Sequence, residues 1–170
     1  MKGGIKGVGE LRPDIISADL EDKDKLRPFI SALVENGLIL LLHASEPVGH
    51  PYAGKGTATP GTLYPFIYAY PELKMVLAHW GGGLPFYALM PEVNKALANI
   101  YYDTAATPYL YSSSIYKQVG ELVGAEKILF GTDYPLMSQQ KVIRHIDSQD
   151  MTEDTRELIF SGNARTLLGI

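Results

Sequence analysis

The chain has 170 residues, of which 46% are hydrophobic, 20% charged and 10% aromatic, a composition typical of a globular domain long enough to bury one real core. Its net charge of −4 includes no basic block, so nothing recommends nucleic acid or an anionic membrane as a partner. With no cysteine, disulfides and thiolate metal sites are excluded; with no apolar run longer than 38–42 and no apolar stretch in MKGGIKGVGEL, neither a membrane span nor a signal peptide is expected, and a soluble cytoplasmic domain is the expectation.

Short apolar runs alternate with amphipathic stretches of helical length. That alternation predicts βαβ units on a parallel sheet, with all 170 residues in a single domain. The first strand is expected over 5–9, followed by a helix over 24–36 that stops at Asn36-Gly37. The second run, 38–42, is apolar at every position, as in a strand covered on both faces. A Gly/Pro-rich loop over 45–59 leads to a short helix at 63–69. The third strand is expected over 73–78 and its helix over 85–98, with Pro85 near the start. A weak fourth run at 100–102 precedes a helix over 112–123, where serines are available as caps. The fifth run is 127–131. The tail carries helical patterns at 138–146, 152–160 and 163–168, the last two spaced to close as a hairpin.

Each run is followed by a polar residue: Glu10, His43, His79, Asp103 and Asp133 in turn. Glu10 to Asp133 spans 123 residues in four intervals, about 31 per unit, which is the repeat of a (β/α)8 barrel of roughly 250 residues. Residues at the C-terminal ends of parallel strands converge on one face, so two imidazoles and several carboxylates around one rim point to a divalent metal. Such an ion activates a water, and a remaining His or Asp handles the proton. The structural alternative stays open beside this reading. A carboxylate in a strand-to-helix loop also serves as a helix cap, and GTDYPL and YYDTAAT both have that form.

The segments LLHASE, LAHWGGGLPFY, YYDTAAT, ILFGTDYPL and SGNARTLLGI, in this order and spacing, resemble the amidohydrolase-2 family of metal-dependent hydrolases and decarboxylases, TIM barrels of the amidohydrolase superfamily. The resemblance runs from about Gly7 to the C-terminus and implies that the chain is a partial barrel, strands four to eight with their helices. It implies that His43 is a metal ligand and that His79 activates water or binds substrate. It implies that Asp133 both ligates metal and shuttles a proton. Related branches place a bridging ligand at the position of Glu10, and Asp103 is implied to be structural. Arg12, Trp80, Tyr134 and Lys55 are candidates for substrate contact, Arg12 because a guanidinium grips a carboxylate with two prongs. His50, in GHPYAG, is expected to be a loop residue, with a place at the mouth as the alternative, and His145 is expected on the solvated face of a tail helix.

One family feature is absent. No His-x-His occurs among His43, His50, His79 and His145, and the first three βα units have no counterpart. The expected activity is hydrolysis or non-oxidative decarboxylation of a small organic acid, lactone or amide by metal-activated water. Zinc is the expected ion, with manganese or iron possible, bound weakly without the His-x-His pair. The alternative expectation is an inactive half-barrel that serves as an interaction or oligomerisation subunit. Open sheet edges imply one of three states: association with an N-terminal segment, self-association, or a longer parent chain.

Overall fold

The computed structural model describes residues 4–16 and 19–170. The expected alternation is present. Strands β1 (Gly7–Leu11), β2 (Ile39–Leu42), β3 (Met75–Leu77), β4 (Ile100–Asp103) and β5 (Ile128–Leu129) form one parallel sheet in sequence order. The α-helices are α1 (Lys23–Glu35), α2 (Pro60–Ala69), α3 (Pro91–Ala96), α4 (Thr107–Leu110), α5 (Ile115–Val123), α6 (Gln139–Asp147), α7 (Glu153–Glu157) and α8 (Asn163–Leu168). No described helix is long and apolar enough to cross a membrane.

Successive side chains of a strand point to opposite faces. Leu40, Leu42, Met75, Leu77, Ile100, Tyr102 and Ile128 share the large core with Ile30, Leu33, Leu63, Phe66, Ile67 and Val119 from the helices. Ile39, Val76 and Leu129 are buried on the opposite face, where Ala164, Leu167 and Leu168 of α8 cover them. Both faces of β2 are therefore covered, which is why its sequence is apolar throughout. Among the described residues, β1 pairs with β2 only, and its outer edge is exposed.

Several elements depart from expectation, each for a local reason. β1 lies two residues later than its apolar run suggests. Its close approach to β2 depends on Gly9 (φ 149°), where a Cβ would run into the Leu41 carbonyl oxygen, so Glu10 sits within the strand rather than after it. The helix expected over 85–98 is interrupted: left-handed turns occupy the residues before it, tight turns run on to Leu89, and Met90 takes extended backbone (φ −85°, ψ 117°) ahead of Pro91. Only Pro91–Ala96 is α-helical there. An extra helix, α4, starts with proline in its first turn. β5 is cut to two residues because the Phe130 N–H turns to the Ile159 carbonyl of the tail. The tail makes no hairpin. Gly162 keeps helical angles (φ −57°, ψ −46°), so α7, a π-helical turn and α8 run on as one segment.

Asn163 anchors that segment. Its buried Nδ2 donates to the carbonyls of Ala125 (2.8 Å) and Ile128 (2.7 Å). Asn163→Ala strands both acceptors and is expected to cost about 2–3 kcal/mol of stability, read as a lower urea midpoint at constant slope.

Candidate active site

Three strands deliver their side chains to one point. Glu10 comes from β1, His43 follows β2 and His79 follows β3. Glu10 Oε1 is 2.7 Å from His43 Nδ1 and 3.7 Å from His79 Nε2. The imidazoles meet edge to face at 5.1 Å, and one ligand atom from each of the three residues lies within 4.8 Å of the others. The remaining ring nitrogens are tied down. His43 Nε2 meets Ser45 Oγ at 3.1 Å, and His79 Nδ1 meets the Ala105 carbonyl at 3.2 Å. A carbonyl only accepts, so His79 carries a proton on Nδ1 and turns Nε2 toward Glu10. Asp103 sits behind this group, where its Oδ1 accepts the backbone N–H of His79 (2.9 Å) and of Ala105 (3.0 Å).

Hydrogen bonds, from His43 first and His79 second, hold the Glu10 carboxyl down at about 2 against the effect of burial. Burial alone would lower His79, but the contact with Glu10, the Asp103 charge and the Ala105 carbonyl hold it at about 9. Without metal, the site at neutral pH therefore holds a carboxylate and an imidazolium. The stability from Glu10 is present above pH 4.5 and lost as pH falls through about 2. That from His79 is complete below pH 6.5 and lost as pH rises through about 9. A metal requires the neutral imidazole, so binding a divalent cation at pH 7.5 is expected to release about one proton, with affinity rising toward pH 9. Calorimetric titrations in buffers of different ionisation enthalpy check both.

The group forms part of the wall of a cavity of about 410 Å³, to which Arg12, His50, Tyr52, Tyr109 and Asp133 also contribute, a size suited to a small molecule. Arg12 is braced by Asp14 at 2.8 Å. Tyr52 donates to Glu46 Oε2 (2.9 Å), and burial and that bond push its phenol up to about 12. His79, Ala106 and Asp133 line the cavity with φ of 54°, 54° and 61°. Left-handed backbone at non-glycine residues is costly and tends to collect at functional sites.

Not every expected residue faces the cavity. Trp80 is fully buried behind the wall, where its Nε1 donates to Thr107 Oγ1 at 2.8 Å. Tyr134 is 71% exposed and off the cavity. The Lys55 ammonium is spent on its own loop, on the carbonyls of Val48 (2.7 Å) and His50 (3.4 Å). Asp133 lines the cavity but stands outside the group of three. His50 does reach the cavity wall. His145 is not on a solvated face: it packs edge-on against Tyr116 and meets its hydroxyl at 3.2 Å. Spacing does not reveal Ser45, Ala105 or Tyr109. Only the proximity of Ser45 to His43 in LLHASE hints at its role.

A sequence profile of the amidohydrolase family matches residues 2–170. The chain belongs to the amidohydrolase family. Among amidohydrolase relatives, it is 24% identical over 174 residues to the 6-methylsalicylic acid decarboxylase of Penicillium expansum, covering 83% of this chain and 53% of that protein. It superposes on an uncharacterised TIM-barrel protein, Bb4693 of Bordetella bronchiseptica, with a TM-score of 0.70 and 21% identity over 92% of this chain and 55% of that one. It also superposes on the 5-carboxyvanillate decarboxylase of Novosphingobium aromaticivorans, solved with manganese and 4-hydroxy-3-methoxy-5-nitrobenzoic acid. There the TM-score is 0.69 and the identity 18%, over 98% of this chain and 55% of that one. The chain thus spans about half the length of these proteins, and its five-stranded sheet matches part of a TIM barrel.

Proposed function

We propose that this amidohydrolase segment carries the metal-holding and proton-handling part of an enzyme that decarboxylates a small aromatic acid without an oxidant. The observation that carries this reading is the convergence of Glu10, His43 and His79 within 4.8 Å on a small-molecule cavity that Arg12 and Asp133 also line. The likeness to a 6-methylsalicylic acid decarboxylase supports the choice of reaction.

Two imidazole nitrogens and a carboxylate, each oriented by a second hydrogen bond or strand, suit zinc, manganese or iron(II). Glu10, His43 and His79 would hold the ion, and manganese is the first to try because a structural neighbour contains it. When bound, such an ion polarises a substrate oxygen as a Lewis acid. Decarboxylation replaces a C–CO2− bond with C–H, so it consumes one proton as CO2 leaves. Asp133, exposed to the cavity, is the carboxyl group placed to carry that proton to the ring carbon. Arg12 grips an oxyanion of the substrate through two N–H donors, and Tyr109, Leu110 and Leu136 offer the ring an apolar wall. Hydrolysis of a lactone or amide would use the same residues, with Asp133 taking a proton from water.

The open edge of β1 favours a second reading, in which the chain acts as a non-enzymatic interaction subunit. In either case the proposed partner is a set of βα units that completes the barrel, from the same parent chain or another polypeptide. The chain is to be tested with Mn2+ and carboxyl-labelled hydroxybenzoates, alone and co-folded with the first three βα units of the Penicillium relative. Metal-dependent release of labelled CO2 supports the enzyme. A metal-free oligomer by native mass spectrometry, inert toward acids, lactones and amides in both forms, replaces it with the second reading.

A further inference from the structure

His79 stands on backbone that side-chain-bearing residues rarely adopt. Its φ is 54°, and Trp80, Gly81, Gly82 and Gly83 follow at 59°, 60°, 60° and 90°. The indole of Trp80 is fully buried and its Nε1 donates to Thr107 Oγ1 (2.8 Å). That hydroxyl donates in turn to the Thr104 carbonyl (2.6 Å). The Thr104 hydroxyl donates to the Gly131 carbonyl (2.8 Å) and accepts the Gly131 N–H (2.9 Å). Gly131 lies two residues before Asp133, itself left-handed at φ 61°. Both threonines are fully buried.

Each hydroxyl has a single proton, and each spends it on a carbonyl. Thr107 can therefore only accept from Trp80, and Thr104 only from Gly131, so the direction of every bond is fixed. The chain of bonds joins the loops after β3, β4 and β5. These three loops place His79, Ala106 and Asp133 on the cavity wall. Valine would fill the same volume but leave the buried Trp80 Nε1–H and the Gly131 N–H without an acceptor, so the two hydroxyls are what tie the three loops to one another.

Resting on the function proposed above, we propose that Trp80, Thr107 and Thr104 are positioning residues that fix His79 relative to Asp133 without touching substrate. Valine keeps their volume and removes the hydroxyl, whereas serine keeps the hydroxyl. In Thr107→Val and Thr104→Val, kcat is expected to fall about 10- to 100-fold with KM within about twofold, while Thr107→Ser and Thr104→Ser stay within about threefold of wild type, as for hydrogen-bond partners that orient a ligand. Trp80 is the sole tryptophan, so its indole N–H gives one unambiguous resonance. Its hydrogen exchange is expected to quicken by about tenfold or more in Thr107→Val and to remain slow in Thr107→Ser, as loss of a single protecting bond predicts.

Valine variants with unchanged kcat overturn the proposal, as do serine variants as slow as the valine ones, which would make the effect one of packing. Should Thr104→Val fail to fold, Thr107→Val and Trp80→Phe test the two ends of the first bond. A wild type without turnover on any acid, lactone or amide refutes the proposed function instead. The positioning proposal then stands on Mn2+ affinity in Thr107→Val against Thr107→Ser, and on exchange of the His79 amide. No difference between the variants in either measurement overturns it.

Discussion

In the Glu10→Gln variant, Mn2+ affinity is expected to fall by about two to three orders of magnitude. Tight four-ligand sites are worth about 10–16 kcal/mol, an equal share is about 2.5–4 kcal/mol, and each decade of affinity takes 1.4 kcal/mol. Glutamine keeps the size of the side chain but removes the anion that both imidazoles face at 2.7 and 3.7 Å. The loss is partly offset because His79, no longer held by Glu10, gives up its proton more readily. Calorimetry against wild type measures the change, with Glu92→Gln on the exposed face of α3 as the control. An affinity unchanged by Glu10→Gln would move the ion off this group, to Asp133 and ligands on other segments.

Asp133→Asn is expected to lower turnover by about 10²- to 10⁴-fold, the usual worth of a placed acid or base, with little change in folding. Asparagine is among the residues best suited to left-handed backbone, so the φ of 61° is kept. The Asp133 carboxylate is exposed and supports no hydrogen bond among the described residues, so its loss leaves no partner stranded. Measuring Mn2+ affinity alongside kcat separates two roles. A fall in kcat alone marks a proton carrier, whereas a fall in both marks a metal ligand. Unchanged turnover would remove Asp133 from the chemistry.

The sequence made the rim more legible than the shell behind it. His43 and His79 stand out because each follows a strand-length, largely apolar run, and a parallel sheet brings such positions together. Glu10 is recognisable as a strand-end carboxylate, although its strand lies two residues later than the apolar run suggests. As the sole tryptophan, Trp80 reads as a candidate for substrate contact. The left-handed turn instead drives it into the core, and three following glycines signal such a turn only in retrospect. Tyr134 and Lys55 were chosen by residue type, which carries no information about direction. Two helical patterns at 152–160 and 163–168 suggest a closing hairpin, yet Gly162 keeps helical angles and the two run on as one segment. The bonds of Ser45, Thr104 and Thr107 depend on loops meeting across the barrel mouth, which no local pattern encodes.

Glu10 belongs to the strand that borders the unpaired edge of the sheet. On the proposed function, a polypeptide docking along β1 would therefore set the backbone from which one of the three candidate ligands projects. Ion loading and barrel completion then share one thermodynamic cycle: any factor by which docking tightens the ion, the ion returns to docking. Chelators and manganese supplements would accordingly alter how much of the assembled form is recovered during purification.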